Sequence, residues 1–167
     1  MPKTDFEIRP VHESEYAALG EITVEAYDRD GFLDGPDDPY ADFLRDVAAR
    51  ASEAEVLVAA EGDRLLGGVT MVPPGAAGAQ LAGAGEAEIR ALAVGPAGRG
   101  RGVGTALTDG CIALASETFG AKRVVLCSLY SMKAAHRIYL RRGFRRAPEL
   151  DWEPVPGAVL WGFALEL

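Results

Sequence analysis

Short segments of the chain alternate apolar and polar residues, which is the spacing of a strand that buries one face. The first of these segments is residues 6–10. Two longer apolar segments, 56–60 and 65–72, flank the short glycine-containing stretch 61–64, and this arrangement predicts a β-hairpin. Further strands are predicted over residues 88–94, 123–128, 144–146 and 159–167.

Other segments repeat apolar residues at the spacing of an amphipathic helix. In residues 40–51 the apolar side chains recur at i, i+3, i+4, i+7 and i+11, which predicts one continuous helix. Further helices are predicted over residues 13–27, 103–119 and 133–142, and the last two end before a glycine. The resulting order, β-α-α-β-β-β-α-β-α-β-β, indicates an α/β fold.

Length and composition indicate one domain. The 167 residues are enough to bury a core, and 49% apolar with 25% charged residues is an ordinary globular composition. The segment rich in glycine and alanine that ends at Gly85 is predicted as a surface loop, because neither half of the chain alone would keep a complete core. We therefore expect a single domain over residues 1–167.

Charge and hydropathy narrow the classes of partner. The formal net charge of -8 disfavours binding to nucleic acid or to an anionic membrane, and it suits a cationic small molecule better. No segment resembles a signal peptide or approaches the roughly 18 apolar residues of a membrane span, so a cytoplasmic location is predicted. Cys111 and Cys127 are expected to be free cysteines, and no metal is expected because no His, Cys or acidic cluster has ligand spacing.

The most informative segment is residues 92–105, where a predicted strand runs through a glycine-rich turn into a helix. Glycine lets the backbone turn tightly and approach a ligand closely, and the first N–H groups of a helix are unpaired and partly positive. Together these features favour a phosphate or pyrophosphate ligand. Arg99 and Arg101 add positive charge to the same turn.

Two common phosphate-binding motifs do not fit this turn. The phosphate loop of nucleotide hydrolases has a lysine at its helix start, whereas residues 102–105 read Gly-Val-Gly-Thr. A dinucleotide-binding fingerprint needs a third glycine, but its sixth position is Thr105 when counted from Gly100 and Val103 when counted from Gly98. ATP hydrolysis and NAD binding are therefore both disfavoured.

Arg99, Gly102 and Gly104 instead match R/Q-x-x-G-x-G/A, the acyl-CoA signature of the GNAT family of N-acetyltransferases. Upstream, residues 87–94 resemble the fourth strand of that family, and downstream, residues 135–144 resemble its A-x-x-L-Y-x-x-x-G-F element. The order of predicted elements is also similar. The resemblance implies an α/β (α+β) fold, a single GNAT-like domain whose mixed, mostly antiparallel central sheet is flanked by helices.

The resemblance also implies acetyl-CoA as co-substrate. The backbone at the end of the 88–94 strand would pair with the pantetheine arm, and the N–H groups of the glycine-rich turn would hold the pyrophosphate. Where the family often has an asparagine, seven residues before the tyrosine, this chain has Met132, and the hydroxyl of neighbouring Ser131 could substitute. The residues assigned to the cofactor are Leu92, Ala93, Val94, Arg99, Gly100, Arg101, Gly102, Val103, Gly104, Thr105, Met132 and Ala135.

Transfer of an acyl group to an amine benefits from a base and an acid. The resemblance places Glu88 where some family members carry a catalytic glutamate, so Glu88 is the predicted base, acting directly or through water, with Glu86 as the alternative. It also places Tyr139 near the CoA sulfur, where the phenol would protonate the leaving thiolate. Each residue also has a structural interpretation, since Glu88 could pair with Arg90 and Tyr139 could serve only in packing.

The predicted reaction is direct transfer of an acetyl group from acetyl-CoA to a primary amine of a small molecule or peptide. A non-catalytic acyl-CoA-binding sensor is the alternative. Acceptor selectivity is expected in residues 27–40, which carry five aspartates, and around Trp152, but the acceptor itself is not identified. The resemblance places His136 on the short helix facing the CoA region, and a surface histidine is expected there, with a catalytic one as the alternative. The resemblance allows a homodimer, although no exposed apolar stripe in the sequence indicates one.

Overall fold

The computed structural model describes residues 5–35 and 37–167, so residues 1–4 and residue 36 of the predicted domain lie outside the described part. The described residues form a single α/β domain around a seven-stranded sheet. Its strands are β1 (Glu7–Pro10), β2 (Glu55–Glu61), β3 (Arg64–Val72), β4 (Glu86–Val94), β5 (Arg123–Leu129), β6 (Arg145–Arg146) and β7 (Leu160–Glu166). Its helices are α1 (Tyr16–Arg29), α2 (Pro39–Arg45), α3 (Val47–Glu53), α4 (Val103–Ala113) and α5 (Lys133–Arg141).

The sheet is mixed and mostly antiparallel, as the resemblance implied. Its strand order is β1-β2-β3-β4-β5-β7-β6, and among its neighbouring strands β4 and β5 run parallel while the others run antiparallel. The predicted hairpin forms between β2 and β3. The predicted order of strands and helices is therefore confirmed, apart from one interrupted helix.

The sheet is covered by helices on both faces, which follows from the alternation along its strands. Leu57 of β2 packs in the main core with α4 and α5, whereas its neighbours Val56 and Val58 pack against α1 and α3. Because successive side chains of a strand point to opposite faces, both faces of an apolar strand must be buried. The central strands are accordingly almost free of exposed positions.

The single helix predicted over residues 40–51 is wrong, because the structure divides it into α2 and α3 at Asp46. Asp46 has φ -82° and ψ 66°, outside the helical region, and its carboxylate accepts a hydrogen bond from the N–H of Ala49 at 3.1 Å. Aspartate is a favourable N-cap, and a capped restart keeps the later apolar residues facing the sheet. The apolar spacing therefore continues across the break and does not reveal it.

The sheet opens between β4 and β5. These strands pair only from Glu86 to Glu88 on β4 and from Arg123 to Val125 on β5. Further along, the register of β4 against β3 shifts, and Ala91 adopts a positive φ of 54°. A β-bulge bends its strand and increases the local twist, so the second half of β4 turns away from β5. The gap between the two strands forms the site described next.

Candidate active site

Two cavities meet where β4 and β5 separate. The first, which we call the α4 cleft, has a volume of about 640 Å³ and is lined by the end of β4, the turn into α4 and the start of α5. The second, which we call the aromatic cavity, has a volume of about 740 Å³. Tyr27, Phe32 and Met132 line both cavities. A long ligand in the α4 cleft can therefore present one end to the aromatic cavity.

The α4 cleft gathers the residues that the sequence assigned to the cofactor, with one exception. The exception is Arg101. Ser131, proposed as a substitute for the missing asparagine, also lines the cleft. The assigned residues that line it are Leu92, Ala93, Val94, Arg99, Gly100, Gly102, Val103, Gly104, Thr105, Met132 and Ala135.

Glycines shape the wall of this cleft at the start of α4. Gly102 is the N-cap residue and has a left-handed conformation with φ +78°, which side chains rarely adopt. Gly104 is required for space, because a Cβ there would lie 2.8 Å from Cδ1 of Ile138. The first N–H groups of α4 have no intrahelical partner and face this glycine-lined wall. Such a wall can approach and hydrogen-bond an anionic group.

Arg101 lies away from the cleft. Its guanidinium is 2.6 Å from the Glu61 carboxylate at the β2–β3 turn and 5.8 Å from the centre of the Phe6 ring. The hydrogen bonds from Arg101 and Arg64 lower the pKa of Glu61 to about 2, so this carboxylate stays charged beside Arg101. Arg99, in contrast, lines the cleft, is 40% exposed and lies 3.6 Å from Asp30.

Glu88 is fully buried at 0% exposure and lies outside the lining of both cavities. Its carboxylate accepts hydrogen bonds from the backbone N–H groups of Gln80, Leu81 and Ala82 at 3.0, 2.7 and 2.9 Å. The carboxylate also lies 3.9 Å from Arg90. Glu88 therefore anchors the loop between β3 and β4, and its assignment as the base stays a prediction.

Tyr139 lies on α5 and is 4% exposed. Its ring packs against Phe144 and Phe163, with centroid distances of 5.6 and 5.8 Å. Burial raises the pKa of Tyr139, because the phenolate would lose its hydration. The side chain is therefore a neutral phenol, and it lies outside the lining of both cavities.

His136 is buried with 6% exposure, which corrects the expectation of a surface histidine. Its ring stacks on Trp161 at 5.6 Å and contacts Phe163 at 5.0 Å, measured between ring centroids. The imidazole Nε2 lies 3.2 Å from Oγ of Ser128. The sequence misled because basic residues surround His136 and suggest a solvated helix face. The aromatic residues that cover His136 belong to β7, which is distant in the sequence.

The aromatic cavity brings together the two segments in which acceptor selectivity was expected. Aromatic residues form much of its wall, three aspartates of the α1–α2 loop lie at one side, and Arg90 of β4 lines it from the sheet. The Arg90 guanidinium lies over the Phe43 ring at 4.3 Å. Sequence reasoning did not single out Arg90 or Ser128 for this site, because neither belongs to a motif. The aromatic and acidic lining residues are Tyr27, Phe32, Tyr40, Phe43, Trp152, Asp34, Asp37 and Asp38.

Both cysteines are free. Cys127 lines the aromatic cavity, and burial raises its pKa, which disfavours the reactive thiolate. Burial also raises the pKa of Cys111 in the main core. Within residues 5–35 and 37–167, no group of three or more His, Cys, Asp or Glu side chains is placed to hold a metal ion. In the same residues, no helix is long and apolar enough to cross a membrane.

Residues 17–144 match the model of the acetyltransferase (GNAT) family, which is more than half of the chain. The chain belongs to the GNAT acetyltransferase family. The match spans the α4 cleft from Leu92 to Ala135 as well as Tyr139. The resemblance seen in the sequence is thereby confirmed for the family and the fold. No curated protein matches the chain significantly.

Solved structures of this family share the fold over nearly the whole chain. A GCN5-related N-acetyltransferase from Kribbella flavida is 22% identical, with a TM-score of 0.71 and 98% of each chain covered. A GNAT acetyltransferase from Staphylococcus aureus is 15% identical, with a TM-score of 0.73 and coverage of 97% of this chain and 99% of the other. A GNAT acetyltransferase from Brucella melitensis, solved in complex with acetyl-CoA, is 21% identical, with a TM-score of 0.67 and coverage of 99% and 90%.

Proposed function

We propose that this protein transfers an acetyl group from acetyl-CoA directly to a primary amine of a small molecule or peptide. The observation that carries the proposal is the junction of the α4 cleft with the aromatic cavity at Tyr27, Phe32 and Met132. A co-substrate in one cavity and an acceptor in the other would place their reactive ends together, which is the main requirement of direct transfer. The acetyl-CoA complex of the Brucella melitensis relative supports this choice of co-substrate.

The α4 cleft suits acetyl-CoA in shape and polarity. Leu92, Ala93 and Val94 follow the bulge of β4, where pairing with β5 has ended, so their backbone can bind the amide groups of a pantetheine arm. The N–H groups between Gly102 and Thr105 supply an anion site for the pyrophosphate, and Arg99 adds a solvated positive charge. In this proposal acetyl-CoA supplies the acetyl thioester, and Arg101 serves the fold through Glu61.

The aromatic cavity suits an amine with an apolar body. A volume of about 740 Å³ lies in the range of small-molecule sites, and stacked rings such as Tyr40 and Phe43 offer large apolar contact surfaces. Asp34 and Asp37 lie beside the cavity and would attract a cationic amine. The net charge of -8 acts in the same direction.

Tyr139 is the proposed acid for the leaving thiolate. Its phenol carries a proton at neutral pH, and burial raises its pKa and so makes it a weaker acid. Glu88 is the base predicted from the family, with Glu86 as the alternative. In the structure Glu86 is 2.8 Å from Arg123, and Glu88 is bound by backbone N–H groups. Either carboxylate would need one or more intervening waters, or an opened loop, to take the amine proton.

The proposal is tested by calorimetric titration with acetyl-CoA and CoA, followed by thiol release on a panel of primary amines with the same sample. We expect binding of both ligands and thiol release that depends on the amine. Binding with no thiol release on any amine would favour the sensor. Failure to bind acetyl-CoA, in a protein shown to be folded, would contradict the proposal.

A further inference from the structure

We infer that Ser128 and His136 form a proton relay in which Ser128 contacts the attacking amine and passes its proton to His136. This inference rests on the proposed function and assigns the base of that same site. It places the base on β5 and α5 and not on β4, where Glu88 lies.

Ser128 lies at the point where an acceptor and a thioester would meet. It is the third residue of β5 beyond Val125, the last β5 residue that pairs with β4. The side chain lines the aromatic cavity, and its Oγ is 3.4 Å from Sδ of Met132. Because Met132 lines both cavities, the Ser128 hydroxyl lies beside a residue of their junction.

The imidazole of His136 is oriented to accept a proton from this hydroxyl. Its Nε2 lies 3.2 Å from Ser128 Oγ. In the relay the neutral imidazole carries its proton on Nδ1, so that Nε2 is the unprotonated acceptor. Nitrogen is a stronger acceptor than a thioether sulfur, so the hydroxyl proton is directed to His136 rather than to Met132.

The charges around His136 keep its ring neutral. Lys133 of its own helix and Arg146 of β6 approach the Trp161 ring that covers it, with distances of 4.9 and 4.6 Å to the ring centroid. The carboxylate of Asp151 pairs with Arg146 at 2.8 Å and so does not serve His136. Burial lowers the pKa of His136 most, the Leu129 backbone opposes this shift, and Lys133 and Arg146 lower the pKa by smaller amounts. The remaining titratable neighbour of the cluster, Tyr139, is a neutral phenol.

The relay balances the protons of the reaction. A cationic amine first releases one proton to water and becomes a neutral nucleophile. As its nitrogen bonds to the thioester carbonyl carbon, a second nitrogen proton moves to Ser128 Oγ, and the Ser128 proton moves to Nε2 of His136. The C–S bond then breaks, and the thiolate takes a proton from Tyr139. His136 afterwards returns its proton to water through Ser128, and Tyr139 regains one from water, so both residues are restored.

The test compares Ser128→Ala, Ser128→Thr and His136→Gln with the wild type. Ser52→Ala and His12→Gln are matched controls, because both side chains are exposed and distant from the cavities. We would measure kcat against pH at saturating acetyl-CoA and amine, using whichever panel amine turns over fastest. Calorimetry with acetyl-CoA would show that each variant keeps its cofactor affinity.

We expect Ser128→Ala and His136→Gln each to lower kcat by about 10²-fold, with acetyl-CoA affinity changed by less than about twofold. The wild-type kcat should fall as the pH drops through the pKa of His136, which lies below the ordinary 6.5, and this acid limb should be absent in His136→Gln. Ser128→Thr, which keeps the hydroxyl, should recover most of the rate. The controls should match the wild type.

The relay is overturned if Ser128→Ala stays within about threefold of the wild type, or if the acid limb survives in His136→Gln. A purely structural role would instead lower the rate of His136→Gln equally at all pH values, which also counts against the relay. If the wild type releases no thiol with any amine, the proposed function fails first and the relay fails with it. The two failures are thus distinguishable.

Discussion

Burial favours the neutral forms of two titratable side chains of α5. His136 and Tyr139 are three residues apart, so they lie on one face of the helix, and both contact the Phe163 ring. Burial lowers the pKa of the histidine and raises that of the tyrosine, which leaves both neutral near pH 7. A neutral imidazole can accept a proton while a neutral phenol donates one, so one helix face supplies both groups.

Tyr139→Phe should lower kcat by about 10²-fold, because the thiolate would leave without a proton donor. The affinity for acetyl-CoA and the melting temperature should change little, since the ring keeps its contacts with Phe144 and Phe163. Thiol release and calorimetry measure these effects, and Tyr130→Phe, at a 48% exposed tyrosine, is the matched control. A kcat equal to that of the wild type would assign Tyr139 to packing alone.

Glu88→Gln should lower the free energy of unfolding by about 1–3 kcal/mol, because an amide cannot accept all the backbone hydrogen bonds that the buried carboxylate accepts. Urea unfolding measures this loss, with the exposed strand glutamate variant Glu55→Gln as control. Because the proposed relay assigns the base to Ser128 and His136 instead of Glu88, we expect kcat to be largely retained. If kcat instead fell about 10²-fold without any loss of stability, Glu88 would be the base.

Single residues show where sequence reasoning reaches its limit. The motif correctly predicted that Arg99 lines the cleft. It predicted the same for Arg101, but the Arg101 side chain instead pairs with Glu61 at the β2–β3 turn. The position of Glu88 on β4 was predicted, whereas its hydrogen bonds come from a loop with no sequence signature. The direction of a side chain and its hydrogen-bond partners depend on segments that are distant in the sequence, so a single motif cannot reveal them.

At the scale of elements, the start of α4 is the part of the site most dependent on backbone conformation. Gly102 has φ +78°, and a Cβ there would meet no atom within 4 Å. Its requirement for glycine is therefore conformational rather than steric. The turn holds the first N–H groups of α4 toward the cleft, so strain at Gly102 should affect the ligand directly.

Gly102→Ala should weaken acetyl-CoA binding by about tenfold, because a side chain in the left-handed region costs about 1–2 kcal/mol and favours a rearranged turn. Gly62→Ala is a close control, since Gly62 also has a positive φ, of 60°, and open space, but lies in the β2–β3 turn. We expect both variants to lose similar stability and only Gly102→Ala to lose affinity. Equal affinities in calorimetry would contradict the role of this turn.

The contact between Arg9 of β1 and Glu15, the residue just before α1, should make the stability of the fold depend on pH. Arg9 donates two hydrogen bonds of 2.8 Å to Glu15, and these lower the pKa of Glu15 from 4.5 to about 2. A carboxyl pKa that is lower in the folded state adds stability above about pH 4.5, and this stability is lost as the pH falls toward 2.

Glu15→Gln should therefore lower the free energy of unfolding by about 2 kcal/mol at pH 7 and by much less near pH 2. Thermal unfolding at a series of pH values measures the difference. Glu13→Gln, in the same turn but exposed, should show no such dependence. A constant difference between Glu15→Gln and the wild type across this range would rule out the linkage.

Apolar periodicity predicted most elements correctly because both faces of the sheet are buried and the helices are amphipathic. The same periodicity missed the break at Asp46, where a local side chain to backbone hydrogen bond interrupts the helix without changing its buried face. It also gave no sign of the positive φ at Ala91, which accompanies the bulge in β4. Local hydrogen bonds and bulges leave the apolar pattern intact, so they remain hidden in the sequence.

At the scale of the whole molecule, the function depends on one defect in an otherwise continuous sheet. Pairing between β4 and β5 stops after Glu88 and Val125, and the two cavities meet at the gap. The family and the α4 cleft could be predicted from motifs in the sequence, since those residues are close together along the chain. The sequence also indicated residues 27–40 and Trp152 for the acceptor, but not the aromatic cavity itself, because its wall combines the α1–α2 loop, both central strands and the segment around Trp152.

The measurement that tests the central claim most directly is a single-turnover reaction of the wild type with acetyl-CoA and an amine, followed by mass spectrometry of all products. Direct transfer predicts equal amounts of free CoA thiol and N-acetylated amine, with no acetyl group on the protein at any time. Thiol released without acetylated amine, or an acetylated protein that forms and decays at the rate of turnover, would contradict it.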